Sequence, residues 1–104
     1  VTDPDICGLL SNAYNNAIEA CLPQKDAYIH TKVNTSRNYT VIQITNPIEK
    51  KVSIRGNRIP TTKGDKKSHG YGIEIMQQIA KKYNGSCSLH STDTEFEVKI
   101  VLLT

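Results

Sequence analysis

The chain has 104 residues, 38% of them hydrophobic and 22% charged, with a formal net charge of +3 and a mean hydropathy of −0.42. That length suits one domain, and the composition excludes a disordered chain and a helical membrane span, because no apolar run approaches the ~20 residues that a bilayer helix needs. The charge is uneven: seven basic residues face two acidic ones between Glu49 and Lys67, a local +5, whereas the other six basic and eight acidic residues leave −2.

The first predicted element is a helix over about residues 5–21, where Ile6, Leu9, Leu10, Ala13, Ala17 and Ala20 recur at helical spacing. Asp5, just after Pro4, suits the positive end of its dipole, and Pro23 stops it. Two strands follow, around Ala27–Asn34 and Tyr39–Asn46, joined by the polar turn Thr35-Ser36-Arg37-Asn38. Residues 47–69 hold few apolar groups and the whole basic excess, so a long loop is expected there. Gly70-Tyr71-Gly72 opens a second helix with Ile73, Met76, Ala80 and Tyr83 on its apolar stripe, and Asn84-Gly85 ends it. The last two strands are Ser86–Ser91 and Glu95–Leu103. Helices and hairpins do not alternate as βαβ units. The expected fold is therefore α+β, a two-layer sandwich with a mixed, mostly antiparallel sheet and helices on one face.

Several chemistries are excluded. Cys7, Cys21 and Cys87 are odd in number and lack CxxC spacing, and His30, His69 and His90 lack metal-ligand spacing. Free thiols fit a reducing, cytosolic setting. There is no phosphate-binding P-loop, no third glycine after Gly72 to complete a dinucleotide fingerprint, and no Gly-x-Ser-x-Gly elbow. Of the five tyrosines only Tyr71 lies near the basic loop, so base stacking has little support and no nucleic-acid partner is expected.

Two constellations remain. Asn12, Asn15, Asn16 and Glu19 fall on one ridge of the first helix. Asn is a middling helix former, at roughly 0.5 kcal/mol against Ala, and a ridge of this kind serves either solvent or a ligand. An amide oxygen suits a hard cation such as Mg2+, which also takes waters and phosphates. The second constellation is Lys63-Gly64-Asp65-Lys66-Lys67-Ser68-His69-Gly70-Tyr71-Gly72. It is either a surface loop with a tight turn or a phosphate site, since glycines and a helix N-terminus bring N–H groups to an anion.

Together these residues resemble a family. Leu9-Leu10-Ser11-Asn12-Ala13-Tyr14-Asn15-Asn16-Ala17-Ile18-Glu19-Ala20 looks like the N-box helix of the GHKL ATPases. Thr61-Thr62-Lys63, His69-Gly70-Tyr71-Gly72-Ile73 and Lys82-Tyr83-Asn84-Gly85 are similar to the lid and G2 region of quorum-sensing-type sensor histidine kinases. The resemblance covers Asp5 to Leu103 and implies the Bergerat fold, with ATP held between helices and lid. It implies that Asn16 ligates Mg2+ and that Asn12 stands where gyrase-type relatives carry a general-base Glu. It further implies that Asn46, Lys63, His69, Gly70, Tyr71 and Gly72 contact nucleotide, with residues 47–69 as the lid. Asn46-Pro47-Ile48 replaces the usual Asp-x-Gly that reads adenine, and a neutral acceptor is weaker than a carboxylate.

On this reading residues 1–104 are a single catalytic domain. The start Val1-Thr2-Asp3-Pro4-Asp5, without Met or signal peptide, leads us to expect a piece of a longer kinase, cytoplasmic and membrane-anchored as a whole. Its expected partners are ATP, a dimerisation and histidine phosphotransfer domain absent from this chain, and a downstream response regulator. Two alternatives are a degenerate GHKL domain that binds without ATP turnover and a serine kinase of the anti-sigma type.

Overall fold

Thr2 sets the start of the first helix, α1, Asp3–Cys21. It is extended (φ −75°, ψ 156°) and its hydroxyl accepts from the Asp5 N–H at 3.3 Å. Pro4 sits in the first turn, where a missing N–H costs nothing. The helix thus begins two residues ahead of its predicted start, because the cap and not the periodicity decides the end. The computed structural model describes residues 2–49 and 71–103, with only the backbone at Tyr71. The other elements are β1 His30–Thr35, β2 Tyr39–Pro47, α2 Tyr71–Lys82, β3 Ser86–Ser91 and β4 Glu95–Leu103.

The strands form one sheet in the order β1-β2-β4-β3. Every pairing among the described residues is antiparallel. Ile42 faces Ile100 and Ile44 faces Val98 across β2 and β4, while Cys87 and Leu89 of β3 join the same two rows. These residues meet Leu9, Ala13 and Ala17 of α1 and Ile73, Met76 and Ala80 of α2 in one core. Burying one such aliphatic side chain is worth roughly 1.5–3 kcal/mol. Both helices lie on this face of the sheet, which gives two layers.

Strand β1 starts three residues later than its composition suggests. Pairing runs from His30↔Thr45 to Thr35↔Thr40. The next two partners would be Asn46, opposite Ile29, and Pro47, opposite Tyr28, and Pro47 has no N–H to offer. All six residues of β1 are exposed. The expected loop also loses its first residues to the sheet. Pro47 pairs with Glu95, and the Ile48 N–H donates to the Thr94 carbonyl at 2.9 Å. The rest of the predicted lid, residues 50–69, lies outside the described residues.

The end of α2 is a Schellman turn. Asn84 takes the left-handed conformation (φ 56°). The Gly85 N–H reaches the Ala80 carbonyl at 2.9 Å and the Asn84 N–H reaches Lys81 at 3.0 Å. Gly85 then passes under β4, where a Cβ would lie 1.7 Å from the Val101 carbonyl oxygen. No side chain fits there, so this glycine is set by close approach.

α1 and α2 run antiparallel and are joined at one end by polar contacts. The Tyr83 hydroxyl donates to Asp5 Oδ2 and accepts from the Thr2 N–H at 3.0 Å. Lys82 Nζ lies 3.0 Å from the same carboxylate oxygen. Hydrogen bonds from Tyr83, Lys82 and Thr2 hold the Asp5 carboxyl at about 2, below its usual 3.8. The folded state therefore favours the ionised form. The Asp5 charge stabilises the fold above about pH 4, and that contribution disappears as pH falls toward 2. In urea unfolding, the stability gap between the wild type and Asp5→Asn should be constant from pH 5 to 7 and close progressively below pH 4. A gap unchanged at pH 2.5 would contradict this assignment.

Candidate functional site

The asparagine ridge of α1 does not face one environment. Asn15 and Glu19 are exposed, Asn12 is half-buried and Asn16 is buried. Among the described residues, the buried polar side chains are Asn16 and Asn46. Taking an amide out of water is unfavourable unless it is hydrogen-bonded, and no buried side-chain N or O lacks a partner among the described residues. A helix needing only solubility would turn Asn16 outward. Its inward position makes it a candidate ligand-binding group.

Asn46 stands in a row with Phe96 on the helix-covered face of the sheet, at the point where the apolar run of β2 ends. It is 2% exposed, and its Nδ2 donates to the Pro47 carbonyl at 2.9 Å. The Oδ1 is left as the acceptor of that side chain. Gln24 braces the same corner. Its Nε2 donates to Pro47 at 2.8 Å and to Ala20, the next turn of α1 after Asn16, at 2.6 Å. The sequence shows no sign of this brace, because Gln24 and Pro47 are distant in the chain.

The other end of the site is the start of α2. Asn12 Nδ2 donates to the Gly8 carbonyl at 2.7 Å, which turns Oδ1 toward α2. A Cβ on Gly72 would lie 3.3 Å from that oxygen. Glycine thus lets the first turn of α2 come down onto the Asn12 amide. This turn carries N–H groups with no intrahelical partner and the positive end of the helix dipole. Asn12 and Gly72 therefore meet where α1 faces the opening of α2, and buried Asn16 follows one turn further along α1. Tyr71 opens α2 with its backbone, while Lys63, His69 and Gly70 lie outside the described residues.

The chemistry of this set is narrow. Amides and a helix N-terminus bind anions and hard cations, but they do not titrate. None of Asn12, Asn16 or Asn46 can take a proton from water as a general base. No cluster of three or more His, Cys, Asp or Glu suited to a metal occurs among the described residues. The buried amide of Asn16 and the directed oxygen of Asn12 fit Mg2+ only as neutral oxygen donors, alongside the anionic oxygens of a ligand.

Other features stand apart. A surface hollow of about 470 Å³ is lined by Ile18, Cys21, Leu22, Ala27, Tyr28 and Ile29. Another of about 210 Å³ lies at His30, Lys32, Gln43, Thr45 and Glu97. Neither contains a predicted site residue. His30 and His90 are exposed on strands, at β1 and β3. All three cysteines are free, and burial pushes the Cys87 thiol up to about 11. No described helix is long and apolar enough to cross a membrane.

A family model described as a GHKL domain matches residues 2–103. No curated protein sequence matches the chain. Among solved structures, the fold is similar to the "Histidine kinase domain from Erythrobacter litoralis EL346 blue-light activated histidine kinase", with a TM-score of 0.65. Identity is 15%, over 94% of this chain and 45% of that one, so the likeness is one of fold and spans less than half of the kinase's length.

The Asn12–Gly72 contact is directly testable. Gly72→Ala should keep global stability within about 1 kcal/mol, since the helix gains what the crowding costs. It should nevertheless shift the side-chain amide resonance of Asn12. An unmoved Asn12 signal would contradict the contact.

Proposed function

The chain belongs to the GHKL family, and on that footing we propose that it is the ATP-binding catalytic domain of a sensor histidine kinase. The observation that carries the reading is the pairing of buried Asn16 and oriented Asn12 on α1 with the glycine-opened N-terminus of α2. One helix offers amide oxygens and the other offers N–H groups, which together suit a metal-bridged polyphosphate. Mg2+, held by the Asn16 amide oxygen, would neutralise charge on the phosphates.

The roles of the remaining residues follow from their chemistry. The first turn of α2 at Tyr71 and Gly72 donates to phosphate oxygens. Lys63 and His69, with Gly70 in the lid, add positive charge and donors toward the γ-phosphate. Asn46 accepts from the adenine amino group through Oδ1. Asn12 orients without acting as a base, which suits an enzyme that hands its phosphoryl group to a histidine and keeps water unactivated. The phosphoacceptor is a histidine on a separate dimerisation domain, and a response regulator takes the phosphoryl group afterwards. The whole is a cytoplasmic module of a membrane-anchored two-component kinase, and the free thiols agree with a reducing compartment.

A second reading is a degenerate GHKL domain that binds a partner without ATP turnover. It draws on Asn46, a neutral group where adenine recognition ordinarily uses a carboxylate.

Calorimetric titration with ATP and a non-hydrolysable analogue, with and without Mg2+, decides between them. The proposal expects Mg2+-dependent binding that Asn16→Ala weakens at least tenfold. Unchanged Mg2+-dependent affinity in Asn16→Ala removes that residue from the metal role. No binding at millimolar nucleotide favours the degenerate domain. In a separate assay with γ-labelled ATP, the isolated chain should acquire no phosphohistidine. Label on this chain would refute the requirement for a separate acceptor domain.

A further inference from the structure

The two halves of the proposed nucleotide site sit on different helices, so their separation depends on what holds α2 against α1. Three contacts are spaced along the pair. Gly72 meets Asn12 at the site, Ile79 lies against Gly8 in the middle, and Tyr83 and Lys82 meet Thr2 and Asp5 at the far end. The middle contact is apolar and non-directional: a Cβ on Gly8 would lie 3.1 Å from Ile79 Cδ1. The far end is directional. The Tyr83 ring packs against the core, its backbone carbonyl accepts from the Leu103 N–H at 3.2 Å, and its hydroxyl bridges Asp5 Oδ2 and the Thr2 N–H.

We propose that Tyr83 is a positioning residue for nucleotide binding: its hydroxyl, bonded to Asp5 and Thr2, sets the register of α2 on α1 and so the gap between Asn12 and Gly72. This inference rests on the nucleotide-binding reading above. Tyr83 acts at a distance. The helical rise puts Asp5 about 10 Å along α1 from Asn12, and Lys82 about 15 Å along α2 from Gly72. A rigid helix held at one end by directional bonds transmits that position to its other end, where the N–H groups point. The ion pair is a lesser part of the bolt. The Lys82 side chain is 63% exposed against 19% for Asp5, and an exposed pair holds little.

The test uses the 104-residue chain with Mg–ATP as the probe, together with amide spectra of the unliganded protein. Tyr83→Phe keeps the ring and removes the bridge. It should weaken Mg–ATP binding about three- to tenfold and shift the Gly72 backbone and Asn12 side-chain resonances. Asp5→Asn keeps an acceptor for the hydroxyl and should stay within about twofold of wild type, as should Lys82→Met. If Tyr83→Phe does not fold, Asp5→Ala removes the same bond from the other side and should give the same shifts. Wild-type affinity and unmoved Gly72 and Asn12 signals in Tyr83→Phe, despite a lower melting temperature, would reduce Tyr83 to a purely structural role. Failure of the wild type to bind Mg–ATP removes the nucleotide reading and this inference together, whereas normal wild-type binding with an unaffected Tyr83→Phe overturns this inference alone.

Discussion

α1 and α2 lie antiparallel on one face of the sheet, and the packing between them determines where Asn12, Asn16 and Gly72 sit. Leu9, Ala13 and Ala17 of α1 and Ile73, Met76 and Ala80 of α2 share a core with the inner rows of β2, β3 and β4. Small residues recur on the inner face of α1, which lets both the sheet and α2 approach. That approach buries Asn16 and brings Gly72 down onto Asn12. The polar bolt at Asp5 and Tyr83 closes the opposite end of the same contact. Packing and the proposed binding site therefore share one interface, and a change in helix register would disturb both.

The sheet supplies the platform. Pairing of β2 with β4 places Asn46 in the row of Phe96, at the end of the apolar face. The buried amide there would be unfavourable without its bond to the Pro47 carbonyl, and Gln24 ties that carbonyl to α1. Gly85 performs the complementary task at the other end of α2. Its lack of a side chain lets the chain pass beneath the Val101 carbonyl and return at once into β3. The core itself is modest, as a chain of this size requires. Its specificity comes from these polar and glycine positions at its margins.

Much of this was legible in the sequence. The apolar period of 3.6 over Ile6–Ala17 and the period of 2 over Phe96–Leu102 dictate a helix and a half-buried strand wherever they occur. β3, β4 and the Asn84-Gly85 stop were readable because local chemistry decides them. The family resemblance came from the same local wording around Asn12–Asn16 and His69–Gly72, and the GHKL match over residues 2–103 agrees with it. The boundaries were less legible. α1 starts at Asp3 because Thr2 caps it, and β1 starts at His30 because Pro47 cannot donate to a neighbouring strand.

The sequence by itself determined the order of elements, the two-layer class and the presence of both an asparagine-rich helix face and a glycine-opened helix. Each of these depends on neighbours within a few residues, where side-chain spacing and backbone freedom leave little choice. Tertiary structure alone decided which asparagines of the ridge turn inward and which way the Asn12 amide points. It also decided that Gln24 braces the end of β2 and that Asp5 serves Tyr83 as well as its own helix dipole. Those outcomes join residues up to 78 positions apart. No local preference encodes them, because a hydrogen bond between distant groups exists only once the packing of apolar faces has brought them together. The uneven charge noted at the outset is of the first kind: a +5 stretch beside a −2 body is written in the sequence, while the amides it would serve acquired their places only through the fold.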